Sequence, residues 1–99
     1  MARFDVHHST DGRGYLLDCQ TDYLSGLDTR LMVPLFVLED YPTPAARLNP
    51  VFRVDDAEVV MMTQYAAAMR KRDIPPKVAW LAHRQDAIMN ALDMLLTGY

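Results

Sequence analysis

The sequence predicts a mainly β fold of the α+β class: a small, partly open barrel of short strands with one long C-terminal α-helix packed on it. Three observations predict this fold. Short apolar runs separated by turn residues fill the first half of the chain, a helical apolar period fills residues 84–99, and no repeat or linker divides the 99 residues. We therefore expect a single domain over residues 1–99.

The N-terminal region has the pattern of a β-hairpin. Phe4 and Val6 alternate with polar neighbours, residues 9–14 form a turn cluster with two glycines, and residues 15–19 form a second short run. The single cysteine, Cys19, lies in this second run and has no partner for an internal disulfide. We therefore expect it to be a buried structural thiol.

The middle of the chain predicts a central strand and a second hairpin. Residues 30–38 are too continuously apolar for a half-exposed strand, so we place this strand in the middle of the sheet. Pro34 cannot donate to a sheet ladder and therefore predicts an edge or a bulge within that strand. Residues 51–54 and 57–61 flank Asp55 and Asp56, which fit a two-residue turn.

Residues 65–77 are ambiguous in the sequence. Residues 65–70 contain three alanines and have helical propensity, but they lack an N-cap and fit either a helix or a strand. Pro75 and Pro76 end this segment before the final helix. From the residues alone we expect five strands and one helix in the chain.

The C-terminal segment predicts an amphipathic helix. From Arg84 onward, Ile88, Leu92, Leu95 and Tyr99 are spaced by four, three and four residues, which places them on one helix face. Gly98 occupies a position where a helix commonly ends in the left-handed conformation. Periodicity favours a docked helix, and the alternative is that its end is a contact surface.

Composition narrows the classes of function. A net charge of −3 and an acidic pI near 5.4 argue against a general nucleic-acid binder. Arg70, Lys71 and Arg72 fit a solvated loop better than a binding patch. No segment approaches the roughly 20 apolar residues of a membrane span, and the N-terminus lacks a signal core, so we expect a cytoplasmic protein without membrane contact. An apolar content of 51% favours a homo-oligomer.

The sequence contains no convincing catalytic constellation. His7 and His8 are neighbours on a predicted strand, so their side chains point to opposite faces and cannot share a metal ion. His83 fits the start of the last helix, and the adjacent carboxylates Asp55 and Asp56 fit a turn. We therefore expect no enzymatic activity, no metal and no cofactor, and a binding function is favoured by elimination.

The order of several short segments resembles the CcdB family, the toxin half of a bacterial toxin–antitoxin pair. No single segment is specific, but their order, spacing and the total length are together typical of that family. The resemblance extends over nearly the whole chain and is carried by Phe4-Asp5-Val6, residues 17–22, 30–35, 48–51, 61–63 and 81–84, and the closing Gly98.

The resemblance implies an SH3-like barrel of the Kid and MazF type with a long C-terminal helix, assembled as a symmetric homodimer. The best-known members bind the A subunit of DNA gyrase with their paired helix tips and trap the cleaved-DNA complex. The resemblance also favours a strand within residues 65–77. The gyrase-facing residues that it implies are Asp93, Leu96, Thr97, Gly98 and Tyr99 on the helix, with Thr21, Tyr23 and Leu24 beside them.

The chain departs from the family at the helix tip. Well-known members carry a tryptophan at the position of Thr97, which stacks on a gyrase arginine, and an aromatic residue at the position of Leu96. Tyr99 brings an aromatic ring that would stack there in its place. The resemblance also implies a CcdA-like antitoxin with a disordered acidic tail. Charge alone makes Arg13, Arg70, Lys71 and Arg72 the candidate residues for binding it.

Three functions remain open from the sequence. The first is a gyrase-poisoning toxin, which the resemblance favours. The second is a module of the same shape that binds an antitoxin without poisoning gyrase, and the threonine at position 97 keeps this alternative open. The third is an RNA-cleaving toxin of the sister family, which the acidic charge balance disfavours.

Overall fold

The computed structural model describes residues 1–98 and contains seven strands and one α-helix. Tyr99 lies outside the described residues. The strands are β1 (Asp5–His8), β2 (Tyr15–Asp18), β3 (Thr29–Val37), β4 (Val51–Val54), β5 (Ala57–Met61), β6 (Ala67–Arg70) and β7 (Lys77–Trp80), and the helix is α1 (Gln85–Thr97).

All seven strands belong to one antiparallel sheet. Its order is β4-β5-β3-β2-β1-β7, and β6 pairs with the first half of β3. The sheet curls into a partly open, SH3-like half-barrel, and the C-terminal helix α1 packs against it. This architecture confirms the predicted fold class.

The two predicted hairpins are confirmed. β1 pairs with β2 in antiparallel register, with Val6 opposite Leu17. β4 pairs with β5 around the two-residue turn, where Asp55 and Asp56 both have positive φ values of 49° and 66°. Two consecutive left-handed residues define the type I′ turn, whose twist matches that of the flanking strands, and aspartate tolerates this conformation better than most residues.

β3 is the central strand, as predicted, but Pro34 marks neither an outer edge nor a bulge there. The Pro34 carbonyl accepts a hydrogen bond from the Met62 N–H at 2.9 Å, on the side where the partner of β3 changes from β6 to β5. The N and C=O of one residue in an antiparallel strand point to the same side. The missing N–H of Pro34 therefore faces a gap between two partner strands, where no ladder bond is lost.

Residues 65–77 contain strand β6 and the 3₁₀ turn Lys71–Asp73 rather than an α-helix. β6 pairs along its whole length with residues 29–32 of β3, and this pairing overrides the helical propensity of its alanines. β7 follows Pro76 and pairs with β1, with a register shift between Val6 and His7. The expectation of five strands was therefore too low by these two, because neither shows the alternation that marks a half-buried strand.

One apolar core fills the space between the sheet and α1. From the sheet it includes Val6, Leu17, Val33, Leu35, Val59 and Met61, and from the helix Ile88, Ala91 and Leu92. Ile88 and Leu92 were expected on the buried face, but Leu95 is 40% exposed. Only the first part of α1 is docked, so its last turn extends beyond the core.

Cys19 is buried at the end of β2, as predicted. Desolvation raises the pKa of its thiol to about 12, and the neighbouring Asp18 carboxylate acts in the same direction. A protonated, buried thiol is a poor nucleophile, which agrees with a structural role.

The raised pKa of Cys19 predicts a component of alkaline instability. The unfolded thiol loses its proton near pH 9.0, whereas the folded thiol keeps it to about pH 12, so between these values the native state binds more protons. The stabilisation is complete below pH 9.0 and decreases as the pH rises toward 12. Cys19→Ala should flatten the fall in unfolding free energy by up to about 1.4 kcal/mol per pH unit, measured by urea titration. An unchanged slope would contradict the assignment.

Gly14 should tolerate substitution much less well than Gly12. Both have left-handed φ values, of 77° and 78°, but a Cβ on Gly14 would lie 2.5 Å from the Leu35 carbonyl oxygen, whereas a Cβ on Gly12 meets nothing within 4 Å. Gly14→Ala should therefore cost about 1–3 kcal/mol more than Gly12→Ala. Equal losses in urea unfolding would show that the close approach to β3 is not a constraint.

Candidate protein-binding surface

Two exposed segments stand out from the half-barrel. Residues 21–28, the β2–β3 loop, and residues 93–98, the helix tip, are each exposed without interruption. All described members of the gyrase-facing set inferred from the family resemblance lie in these two segments. Tyr99 belongs to the same set but lies outside the described residues.

The β2–β3 loop presents an aromatic side chain on a capped turn. Asp22–Leu24 form a 3₁₀ turn, and the hydroxyl oxygen of Thr21 accepts a hydrogen bond from the Tyr23 N–H at 3.3 Å. Tyr23 is 92% exposed, and Leu24 is 43% exposed. The cap holds the backbone of the turn while the apolar side chains remain free for a partner.

The base of this loop is held by a buried ion pair. Arg30 Nε and Nη2 donate to the two carboxylate oxygens of Asp18 at 2.8 and 2.9 Å, and both side chains are fully buried. Arg30 also reaches the Asp22 carboxylate at 3.5 Å. These carboxylates, Asp18 first, raise the pKa of Arg30, so the guanidinium remains charged.

Gln20 closes the loop above the ion pair. Its side-chain amide donates to the Thr29 carbonyl at 3.0 Å and to the Leu24 carbonyl at 3.2 Å. Its side-chain oxygen accepts from the Leu31 N–H at 3.0 Å. The Gln20 side chain therefore satisfies backbone groups within the loop and at the start of β3.

The helix tip ends in an ordered cap. Gly98 adopts the left-handed conformation predicted for it, with φ of 81°, and its N–H donates to the Met94 carbonyl. The Thr97 hydroxyl donates to the Asp93 carbonyl at 2.7 Å. Leu96 is 77% exposed on this capped turn. The tip thus presents a large apolar side chain beside a hydrogen-bonded cap.

Arg3 connects the loop to the helix. Its backbone N–H donates to the Asp22 carboxylate at 2.9 Å, and its guanidinium contacts the Met89 sulfur at 2.8 Å. Asp93 and Leu96 follow Met89 by four and seven residues and therefore share its helix face. The β2–β3 loop and the helix tip consequently lie on the same side of the molecule. Sequence reasoning missed Arg3, because nothing marks its long-range contacts.

The four basic residues considered for antitoxin binding fall in two different places. Arg13 lies in the β1–β2 turn and is ion-paired with Asp40 at 2.5 Å and Glu39 at 2.9 Å. This arginine lowers the pKa of Asp40. The other three, Arg70 to Arg72, lie at the end of β6 and in the following 3₁₀ turn.

Lys71 attaches this second basic group to the β2–β3 loop. Its backbone N–H donates to the Asp28 carbonyl at 2.9 Å, and its ammonium group donates to the Ser25 carbonyl. The basic segment therefore lies beside the same loop that carries Tyr23.

The histidines lie on opposite sides of β1, as predicted. His7 is buried and its Nδ1 is 2.8 Å from the Pro75 carbonyl, whereas His8 is exposed and stacks on Tyr15. Within residues 1–98, no group of three His, Cys, Asp or Glu side chains has the arrangement of a metal site. In the same range, no helix has the length and apolarity needed to cross a bilayer.

The protein is thus a small half-barrel that displays apolar side chains on a capped loop and on a capped helix tip. The family model described as CcdB protein matches residues 3–98 of the chain. The chain therefore belongs to the CcdB family, and membership indicates the toxin of a toxin–antitoxin pair. A search of the curated proteins found no match.

Removing one member of the buried ion pair should destabilise the protein strongly. Asp18→Asn leaves the buried Arg30 guanidinium with only its longer contact to the exposed Asp22 carboxylate, and breaking a buried pair in this way typically costs about 3–5 kcal/mol. The double variant Asp18→Asn/Arg30→Met removes the uncompensated charge and should recover much of that loss. Urea unfolding measures both variants. Additive losses in the double variant would show that the two side chains do not act as a pair.

Proposed function

We propose that this protein is a toxin that binds the A subunit of DNA gyrase through the helix tip and the β2–β3 loop and traps the cleaved-DNA complex. The observation that carries the proposal is the pairing of two exposed apolar segments, held in ordered turns on one side of the half-barrel. Family membership supplies the target class. We further propose that it acts as one domain of residues 1–99 in the cytoplasm, without catalysing a reaction or binding nucleic acid itself.

The energetics of the surface support a protein partner. Burying a leucine or an aromatic side chain contributes roughly 1.5–3 kcal/mol to the free energy of binding. Tyr23 and Leu96 are 92% and 77% exposed and are therefore available for such burial. Because their backbones are already fixed by the Thr21 and Gly98 caps, little ordering entropy is lost on binding. The Thr97 hydroxyl already donates a hydrogen bond to the Asp93 carbonyl within the helix. We therefore propose Leu96 and Tyr99, rather than Thr97, as the anchors.

A homodimer fits the proposed target. The helix end also exposes Met94 and Leu95, by 36% and 40%, and Trp80 is 54% exposed on β7. A two-fold dimer would bury part of this apolar surface and present the helix tip twice, which suits a two-fold target. We therefore propose that the dimer is the active form.

The partner that neutralises the toxin is proposed to be a CcdA-like antitoxin with an acidic tail. Arg13 already has two carboxylate partners, so a tail bound there must displace Asp40 and Glu39. At the basic segment Arg70 to Arg72, an acidic tail could bind the two arginines without displacing a carboxylate of the chain.

The proposal predicts that gyrase poisoning depends on the exposed segments. Truncation after Leu96, and Tyr23→Ala in the full chain, should each reduce gyrase-dependent DNA cleavage by about tenfold or more, since each removes apolar contact area. The fold should be retained, because Tyr23, Thr97 and Gly98 are exposed and do not belong to the apolar core. Purified gyrase, supercoiled DNA and the accumulation of linear product provide the measurement.

Tyr65→Ala serves as the matched control, because Tyr65 is 54% exposed and lies outside both segments and outside the proposed dimer surface. Its monomer–dimer equilibrium is measured in parallel by sedimentation. Unchanged cleavage after truncation would contradict the role of the tip. If the full-length chain yields no cleavage product and supercoiling continues, gyrase is not its target.

A further inference from the structure

Strand β6 has one unpaired edge. Within residues 1–98, β6 pairs with β3 and with no other strand. Lys71, the residue after β6, donates its N–H to the Asp28 carbonyl on the β3 side. Alternation along an antiparallel strand therefore directs the N–H and C=O groups of Ala68 and Arg70 away from β3. We call this row of backbone groups the β6 edge.

The β6 edge is sterically open. Ala67 and Ala68 are exposed and carry only methyl side chains, and Met69 is half-buried. The strand contains no proline, and its pairing with β3 runs without a register shift. Of the devices that normally block an edge strand, β6 has only shortness and the charge of Arg70.

The charge at this edge is unbalanced. Arg70 and Arg72 are exposed and make no ion pair or hydrogen bond with another described residue. Lys71, between them, donates one hydrogen bond to the Ser25 carbonyl. Asp73 follows and is the single carboxylate of this basic segment. Elsewhere, by contrast, Arg13, Arg30 and Lys77 are each paired with a carboxylate.

We propose that the β6 edge binds an extended acidic peptide from a partner protein by β-strand addition. The peptide backbone would pair with the Ala68 and Arg70 groups, and its carboxylates would face Arg70 and Arg72. This inference rests on the proposed function only for which protein carries the peptide, namely the antitoxin. A second copy of the chain is a poorer occupant, because it would bring the same arginines to the edge and no complementary charge.

The test uses full-length protein and a labelled synthetic peptide. The probe is a peptide of about eight residues that alternates glutamate and valine, a length typical of a strand. A matched peptide with glutamine in place of glutamate is the control. By fluorescence anisotropy, the acidic peptide should bind about tenfold more tightly than its control at low salt, and this advantage should shrink as salt is added. Equal affinities, or no binding of the acidic peptide, would overturn the proposal.

Two substitutions at one position separate strand addition from simple charge attraction. Ala68→Pro removes one outward N–H without removing a hydrogen bond to β3, whereas Ala68→Thr keeps that N–H. Ala68→Pro should weaken acidic-peptide binding about tenfold, and Ala68→Thr should bind like the wild type. The double variant Arg70→Gln/Arg72→Gln should lose the preference for the acidic peptide. Wild-type affinity in Ala68→Pro would overturn strand addition.

A measurement on the unmodified protein guards against a proline variant that fails to fold. Bound acidic peptide should slow hydrogen exchange at the Ala68 and Arg70 amides, and protection confined to other amides would overturn the proposal. Dissociation of a dimer by Ala68→Pro would show that the edge is a self-interface and would also overturn it. Gyrase cleavage is scored separately. If the protein traps gyrase but does not bind the peptide, only the strand-addition proposal is contradicted. If it binds the peptide but does not trap gyrase, only the proposed gyrase target is contradicted.

Discussion

The buried ion pair between Asp18 and Arg30 is the interaction on which the proposed binding surface depends. Both side chains are fully buried, so each charge is stabilised mainly by the other. The pair joins the end of β2 to the start of β3, the two strands that enclose the exposed β2–β3 loop. Arg30 also reaches Asp22 within the loop, and Gln20 ties the loop backbone to β3. The surface loop that carries Tyr23 is thereby held in place by the fully buried Asp18–Arg30 pair.

The docked part of α1 and its proposed binding part are different segments of the same helix. Ile88, Ala91 and Leu92 are buried in the core, whereas residues 93–98 are exposed and capped by Gly98. The helix can therefore be held by its docked part while its last turn remains available to a partner. Arg3 completes the arrangement, since it contacts both Asp22 and Met89 and so fixes the loop relative to the helix.

Charge is distributed less simply than the net value of −3 suggests. Several cations form ion pairs with carboxylates of the same chain: Arg30 with Asp18 in the interior, and Arg13 with Asp40 and Glu39 and Lys77 with Asp5 nearer the surface. Arg70 and Arg72 have no such carboxylate partner among the described residues, and they lie at an open strand edge. A weakly acidic protein thus retains a local cationic segment beside its exposed loop, where an acidic partner is complementary.

Much of the fold was predictable because its signals are local. The two hairpins, the central position of β3, the buried thiol of Cys19 and the end of the helix at Gly98 each follow from a few neighbouring residues. β6 and β7 were not predictable from pattern, because their alanines and the nearby prolines favour other structures in isolation. Only pairing with β3 and β1 makes them strands.

The sequence by itself determined the fold class, the single amphipathic helix and, through the order of its short segments, the family. Tertiary structure alone decided which helix residues remain exposed, how Arg3 brings loop and tip together, and which cations are neutralised. The physical reason is distance along the chain. Periodicity and turn chemistry act between near neighbours, whereas ion pairs and strand edges are set by residues that folding brings together from remote positions.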